Sequence, residues 1–422
     1  MTTTQLTRNG RPRVVITGMG AITPLGLDVE TTYRNLIAGK SGVAFLPQLD
    51  VPDAPTKIGA AVNGFDPGQY MDAREARRYM KFATFAVAAA TQAVNEAGLD
   101  MAAEDPTRIG VDIGSALGAA VLIEEQRMLL EKRGPRGINP LAIPAGISTT
   151  PPCLVAVKYG IKGPVYATIA ACATGAVTVG EAAKRMMWGD ADVFIAGGSD
   201  SVMTVMSITG FARLGALSQR NDAPEKACAP FAANRSGAVA SEGAAVVLLE
   251  TLEHARRRGA RILAEVIGYG LTCDGYHMAA PAPDAEQAAR AMRMALETAG
   301  IAAEELDWIG AHGTGTQLND VAETKAIKLA LGDAAYRIPT SSVKSELGHM
   351  FGGAATISAI AGIKAMAHGV LPPTINYETP DPECDLDYIP NVARQADVRT
   401  IMVNGFGFGG QNASLVIRKW EE

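Results

Sequence analysis

A single thiol stands where an apolar run ends and a small-residue run begins. The segment Val165-Tyr166-Ala167-Thr168-Ile169-Ala170-Ala171 is β-prone, and Ala173-Thr174-Gly175-Ala176 beyond Cys172 suits a helix. That placement predicts a sulfur at a helix N-terminus, where unpaired N–H groups and the helix dipole favour the thiolate. A free cysteine is more often a buried structural residue. Here the small neighbours leave the sulfur approachable, so on this segment alone both readings stand.

Two histidines offer partners for covalent catalysis. His312 opens His312-Gly313-Thr314-Gly315-Thr316 directly after an apolar strand, a tight loop that would hold its ring in a cleft. Asp320 and Glu323 lie three apart, as on one face of a helical turn. His349 follows Lys344-Ser345-Glu346-Leu347-Gly348 and precedes Gly352-Gly353. A helix starting near His349 would set its ring at a second helix N-terminus, where the dipole disfavours the imidazolium and a neutral donor results. Lys344, at the end of a buried strand, calls for a carboxylate, and Glu323 is the candidate. A fourth segment, Asn404-Gly405-Phe406-Gly407-Phe408-Gly409-Gly410, has four glycines in six residues from Gly405. Such a backbone can approach a ligand closely and offer N–H groups, and its two phenylalanines argue for a pocket wall over a plain turn.

Thr17-Gly18-Met19-Gly20 faintly resembles a dinucleotide fingerprint. Thr23 stands where the third glycine belongs, and no acidic residue follows at the right distance, so a nucleotide site is not expected. No HExxH, Cys/His cluster or Walker loop occurs, so no catalytic metal is expected.

The elements that must position these residues alternate between strand and helix, which predicts an α/β fold. Strands are expected at 13–18, 108–114, 191–198, 244–249, 262–268, 308–311 and 338–343, and helices at 31–38, 82–96, 252–258, 285–299 and 353–368. The plan restarts after the charged helix: a strand leads to Cys172 and a small-residue helix, and later a strand leads to Lys344, His349 and another small-residue helix. This echo divides the chain into residues 1–253, with the cysteine, and 254–422, with the histidines, the lysine and the glycine-rich loop.

A length of 422 residues accommodates two such halves. Abundant glycine (45 residues) beside few aromatics suits small-residue helices packed closely on a buried sheet. A net charge of −6 gives no global reason to expect nucleic acid. Five scattered cysteines without a CxxC pair, and a polar Met1–Arg13 segment without signal-peptide character, point to reduced thiols in the cytoplasm. The longest apolar stretch, Ala354–Leu371, is broken by Lys364 and His368 and reads as a buried helix, so no membrane insertion is expected.

Taken together, Cys172-Ala173-Thr174-Gly175, His312-Gly313-Thr314-Gly315-Thr316, Lys344-Ser345 with Gly348-His349, and Gly405–Asn412 carry a resemblance. The chain resembles the β-ketoacyl-acyl-carrier-protein synthases, closest to type II, from about Arg13 to Arg418. Asp274-Gly275-Tyr276-His277-Met278 and Pro372-Pro373-Thr374-Ile375-Asn376 are lesser marks of it. The resemblance implies a thiolase fold, with duplicated halves stacked as a five-layer αβαβα sandwich, and a homodimer. It implies decarboxylative Claisen condensation with no cofactor of the enzyme's own, the substrates being carried on the phosphopantetheine of acyl carrier protein. Cys172 would be the acylated nucleophile, His312 and His349 the donors to the enolate, and Lys344, held by Glu323, an electrostatic support. The N–H groups of Cys172 and Phe408 would form the oxyanion hole, with Phe406, Gly407, Phe408 and Gly409 as the gate. Leu117, Thr149, Ala170, Ala238, Thr314 and Thr316 would line the substrate pocket.

Departures from the family pattern gather in that pocket. Ala170 replaces a usual Thr. Pro230-Phe231-Ala232-Ala233-Asn234-Arg235-Ser236-Gly237-Ala238 lacks two acids and an aromatic, and Ser148-Thr149-Thr150-Pro151-Pro152-Cys153 lacks the usual Asn-Met. Ala238 in place of Phe should open space near the sulfur for a non-standard or bulkier acyl chain, as in a specialised lipid or polyketide pathway. The acidic carrier would dock on Arg74, Arg77, Arg78 and Lys81, expected on one helix, with Arg133 and Arg136 nearby; a solvated charged face is the plain alternative. A thiolase would need a second cysteine near the C-terminus, and a coenzyme A-dependent type III synthase an Asn in place of His349. A catalytically silent chain-length partner would lack Cys172.

Overall fold

Ten strands build one continuous twisted sheet, and their order repeats. The computed structural model describes residues 6–8 and 10–421. The first five strands are β1 (Val14–Ile22), β2 (Ile109–Gly114), β3 (Val165–Tyr166), β4 (Val193–Asp200) and β5 (Gly243–Thr251). The second five are β6 (Ala264–Cys273), β7 (Trp308–Gly310), β8 (Thr340–Ser341), β9 (Thr400–Gly407) and β10 (Gln411–Lys419). Across the sheet they run β8-β7-β9-β10-β6-β1-β5-β4-β2-β3. Counted outward from the centre, each set of five appears as first, fifth, fourth, second, third. The inner pairings of each set are antiparallel and the outer two parallel. The sets meet where β1 and β6 pair antiparallel, with Ile16 opposite Ala264.

Helices occupy three levels around this sheet. α1 (Lys81–Ala97) and α2 (Thr150–Tyr159) cover the first set on the outside, and α4 (Glu286–Ala299) and α5 (Gln317–Leu331) cover the second. α3 (Thr174–Met187) and α6 (Ala354–His368) lie between, each packed on strands of both sets. Three separate apolar cores follow from this: an outer one on each side and a central one around α3 and α6. Together they make the αβαβα stack. Outer helices are amphipathic; α4 buries Ala288, Ala289, Met292, Ala295 and Leu296 and turns Arg290 to solvent. α6 is buried almost all round, as a helix clamped between sheets must be. Among the described residues no helix is long and apolar enough to cross a membrane.

The fingerprint-like glycines have a packing role. An added Cβ at Gly18 would meet Ala93 O at 2.0 Å and one at Gly20 would meet Ala89 O at 1.9 Å, both on α1. The second set repeats the device: Gly268 and Gly270 of β6 would meet Ala295 O at 2.1 Å and Ala291 O at 1.9 Å on α4. Each strand is also bulged at the same place, between Ile16 and Gly18 and between Val266 and Gly268. Close strand-on-helix approach, not phosphate binding, requires these residues.

The two central helices begin alike. Ala171 (φ 46°) precedes α3 by three residues and Phe351 (φ 47°) precedes α6 by three, so each helix is entered through a left-handed elbow. His349 lies close to the helical start, as expected: a 3-10 turn over Phe351–Gly353 leads directly into α6, and the His349 N–H itself donates to Val239 O at 2.7 Å. Arg74, Arg77, Arg78 and Lys81, by contrast, do not share one helix. A short helix ends at Ala76 and α1 starts at Lys81.

Candidate active site

Cys172 follows the first elbow and is 9% exposed. The Ala173 N–H donates to Ala170 O and the Thr174 hydroxyl to Ala171 O, at 2.9 and 2.7 Å, and these bonds hold the tight turn. Two N–H groups, those of Phe408 and of Cys172 itself, face the sulfur and favour its negative form. Burial nevertheless dominates and pushes the thiol up to about 11, against the pull of Lys344 and with Asp200 adding to the rise. The expectation of a thiolate is corrected accordingly: the resting group is a thiol, burial prevailing over Lys344 and the two N–H groups.

His312 and His349 reach the same cavity from the second set of elements. Their rings meet edge to face, with centroids 5.5 Å apart and planes at 81°. Burial, together with the Lys344 charge, holds both well below the usual imidazole range, so both are neutral. The Phe351 N–H donates to His349 Nδ1 at 3.2 Å, which leaves the hydrogen on Nε2 and makes that atom a donor. Phe351 stacks on the His349 ring at 4.9 Å, and Phe211 stacks on Phe351 at 5.2 Å, so the imidazole is fixed from behind.

Lys344 and Glu323 both support this pair, but not by gripping each other. The Lys344 ammonium donates to the His312 carbonyl. Glu323 accepts the His312 and Gly313 N–H groups at 2.7 and 2.6 Å. The peptide that carries His312 is thus held by a cation on one side and a carboxylate on the other. Burial pushes Glu323 up to about 7, opposed by those two N–H donors. Burial also lowers Lys344, opposed by Glu323. Asp320, one turn earlier on α5, accepts the Thr314 and Gly315 N–H groups at 3.1 and 3.2 Å and so shapes the rest of the loop.

One cavity of about 620 Å³ joins Cys172, His312, His349, Thr314, Thr316 and Ala238 with the Phe406–Gly410 loop. Three expected wall residues are not part of it. Leu117 is 36% exposed elsewhere with its N–H on Asp200, Thr149 precedes α2, and Ala170 is buried in the central core. Sequence reasoning missed walls from Phe211, Leu214–Leu217 and Phe351, and gave Asp274–Met278 only a minor place although Asp274 and His277 line the cavity. It also missed Asp200, a fully buried carboxylate that accepts from Ser115 Oγ and from the N–H groups of Ala116, Leu117 and Gly352. An Asp ending an apolar strand was the available signal. Of the expected docking residues, Lys81 is committed to the buried Glu242 at 2.9 Å, while Arg74, Arg77, Arg78, Arg133 and Arg136 are exposed.

A duplicated αβαβα sandwich with a cysteine elbow facing a neutral histidine pair defines a condensing enzyme of the thiolase fold. The chain belongs to the β-ketoacyl synthase family: its N-terminal domain profile matches residues 11–255 and its C-terminal domain profile residues 263–378. A 3-oxoacyl-[acyl-carrier-protein] synthase 2 of Coxiella burnetii is 44% identical, the match covering 96% of this chain and 98% of that one. Among solved structures, a type II polyketide ketosynthase bound to a hexaketide and complexed with its acyl-carrier protein superposes with a TM-score of 0.91 at 34% identity, covering 97% and 100% of the two chains. The ishigamide ketosynthase/chain length factor does so with a TM-score of 0.91 at 35% identity and the same coverage.

Proposed function

We propose that this chain is a 3-oxoacyl-[acyl-carrier-protein] synthase whose nucleophile is Cys172. The supporting observation is the convergence of Cys172, two neutral histidines and the Phe408 N–H on one cavity. Cys172 Sγ attacks the acyl thioester, the carrier's sulfur leaves as thiol with the Cys172 proton, and an acyl-cysteine remains. The N–H groups of Phe408 and Cys172 stabilise the oxyanion formed on the way. Because the resting group is a thiol, proton departure must accompany attack. Malonyl-carrier then occupies the cavity and its C–C bond to the carboxylate breaks. CO₂ leaves, and the electron pair passes into an enolate whose oxygen accepts from His312 and His349. Neutral rings suit this step, since each can donate a hydrogen bond but is too weak an acid to protonate the enolate and quench it. The enolate carbon attacks the acyl carbonyl, the C–S bond to Cys172 breaks, a 3-oxoacyl chain two carbons longer leaves on the carrier, and the Cys172 thiolate takes a proton from solvent to restore the thiol.

Thr314 and Thr316, whose hydroxyls pair at 2.9 Å on the cavity wall, suit the pantetheine arm. The acidic carrier would approach over exposed Arg74, Arg77, Arg78, Arg133 and Arg136. A homodimer is favoured by the free outer edge of β3 and by exposed Ile123, Ile143, Ile147, Val157 and Ile169 in the segments around it. Ala238 beside the sulfur favours a bulkier acyl chain, and likeness to two polyketide-type assemblies keeps a specialised pathway as the second reading. Mass spectrometry after incubation with acyl-carrier tests the core of the proposal. An acyl adduct on Cys172, absent from Cys172→Ser, is expected. An unmodified wild type would instead indicate a silent chain-length partner.

A further inference from the structure

A carboxyl group that this reaction scheme leaves unused lies two residues beyond Lys344. Glu346 is fully buried, and its Oε1 has no hydrogen-bond partner. Its Oε2 lies 2.6 Å from Ser345 Oγ. Ser345 Oγ already accepts the Ile375 N–H at 3.0 Å and lies 2.8 Å from the Ser342 carbonyl oxygen. A hydroxyl has one hydrogen, and a carbonyl has none to give. Two oxygens at these distances from Ser345 Oγ need two hydrogens, and the only other source is the carboxyl. We propose that Glu346 is held as a neutral carboxylic acid which donates its proton to Ser345 Oγ and so positions Lys344.

The surroundings fit that state. Among the described residues no cation pairs with the group: the Lys344 ammonium is engaged with the His312 carbonyl, the Gly42 N–H takes the Glu346 main-chain oxygen, and besides Ser345 only the Glu346 N–H acts against burial. The buried Cys228 thiol, from another segment, is pushed up by burial, then by Asp320, and also by Glu346. An orphaned carbonyl oxygen of a neutral acid costs far less than an orphaned carboxylate oxygen. Burial accordingly pushes Glu346 up to about 8.

The link to Lys344 runs through Ser342. Its N–H donates to Thr374 Oγ1 at 3.1 Å and its hydroxyl to the Gly313 carbonyl at 2.6 Å, tying the lysine turn to the His312 loop. With Glu346 protonated, the Ser345 hydrogen is free to hold the Ser342 carbonyl. Once Glu346 ionises, that hydrogen turns to the carboxylate, the Ser342 carbonyl keeps only the Ser345 N–H at 3.1 Å, and the turn bearing Lys344 loosens. Glu346 is thus a positioning residue, acting through the lysine turn.

The test has one arm independent of turnover and one that rests on the condensation reading. Infrared difference spectra of wild type minus Glu346→Gln at pH 6 should show a protonated-carboxyl band, and in wild type alone that band should vanish on raising the pH through about 8. In the second arm, Glu346→Gln, whose amide can donate to Ser345 in the same way, should keep condensation within about threefold at pH 7. Its alkaline limb should move up by about one pH unit or more. No such band in wild type at pH 6, or a Glu346→Gln variant with an unmoved alkaline limb, overturns the proposal. An inactive wild type would count against the condensation reading alone; because Glu323 is pushed up to about 7 as well, the band is assigned to Glu346 by its loss in Glu346→Gln or, should that variant not fold, in Glu346→Met, and a band that persists in the folded variant overturns the proposal.

Discussion

Gly198 of the buried strand β4 packs against the second elbow, and its replacement by alanine tests whether the two sets of elements must meet so closely. An added Cβ would lie 2.0 Å from Gly352 O and 2.4 Å from Gly352 C, both backbone atoms that no rotamer can move aside. Relief to the 3.4 Å of ordinary contact requires the turn to retreat by about 1.4 Å. Gly352 is three residues beyond His349, and its N–H donates to Asp200 at 2.7 Å, so the retreat draws His349 and Phe351 away from Cys172. A displacement of about 1 Å in a reacting constellation costs about 10²-fold in rate, or close to 3 kcal/mol of barrier. Overpacking of this kind costs about 1–3 kcal/mol of stability. For Gly198→Ala we expect condensation to fall about 100-fold, while acylation of Cys172, which needs no histidine from the other set, falls less than about tenfold. The assays are acyl-adduct formation by mass spectrometry and 3-oxoacyl product formation on the same protein, with urea unfolding alongside. Gly210→Ala, where nothing lies within 4 Å, serves as control. Wild-type condensation with an unchanged unfolding midpoint in Gly198→Ala would refute the argument from close approach.

The remaining predictions concern charge and space. Each catalytic imidazole takes a proton near pH 6.5 when unfolded but stays neutral in the fold, because burial and Lys344 oppose the charge. The unfolded state therefore binds more protons as pH falls, so stability is full above about pH 6.5 and is lost below it, at about 1.4 kcal/mol per pH unit for each ring. Denaturant titrations at pH 7 and 5.5 should show this loss, and His312→Asn with His349→Asn should show much less of it. Ala238→Phe should reduce kcat/KM for branched or ring-bearing acyl chains about 10- to 100-fold while sparing short straight ones; equal loss on all chains would remove Ala238 as a selectivity element. Arg77→Glu with Arg78→Glu should raise the apparent KM for carrier several-fold, with the gap narrowing at high salt; an unchanged KM would place docking elsewhere.

How much was legible follows from what each residue does. Cys172, His312, His349 and the Phe406–Gly409 loop were readable because each sits in a short run whose small residues serve one local geometry. The repeated strand–helix plan was readable from the runs around Cys172 and His349, whereas the glycine spacing shared by β1 and β6 emerged only from their packing on α1 and α4. Contacts between distant segments were not. Lys344 was assigned a carboxylate partner, but its ammonium binds a main-chain oxygen, and a peptide carbonyl leaves no mark in sequence. Leu117 and Thr149 were placed in the cavity by analogy, whereas Phe211, Leu214 and Phe351 line it through tertiary packing alone. The neutrality of His349 was anticipated from a helix start; burial and a nearby ammonium, which the sequence does not reveal, also enforce it.

The paired elbows carry a last consequence. Cys172 follows the left-handed Ala171, and the residue that follows the left-handed Phe351 is Gly352. The doubled scaffold therefore offers two equivalent seats for a nucleophile, and only one holds a side chain. A Cβ at Gly352 would lie 2.7 Å from Asp200 Oδ2 and 3.1 Å from the Ala116 N. The second seat is closed by the first set of elements leaning into it, and its emptiness is what lets Phe351 and His349 come forward to serve the other. The two like halves are thus unlike in use: the first presents the nucleophile, and the second presents the histidines and the Phe408 N–H that face it.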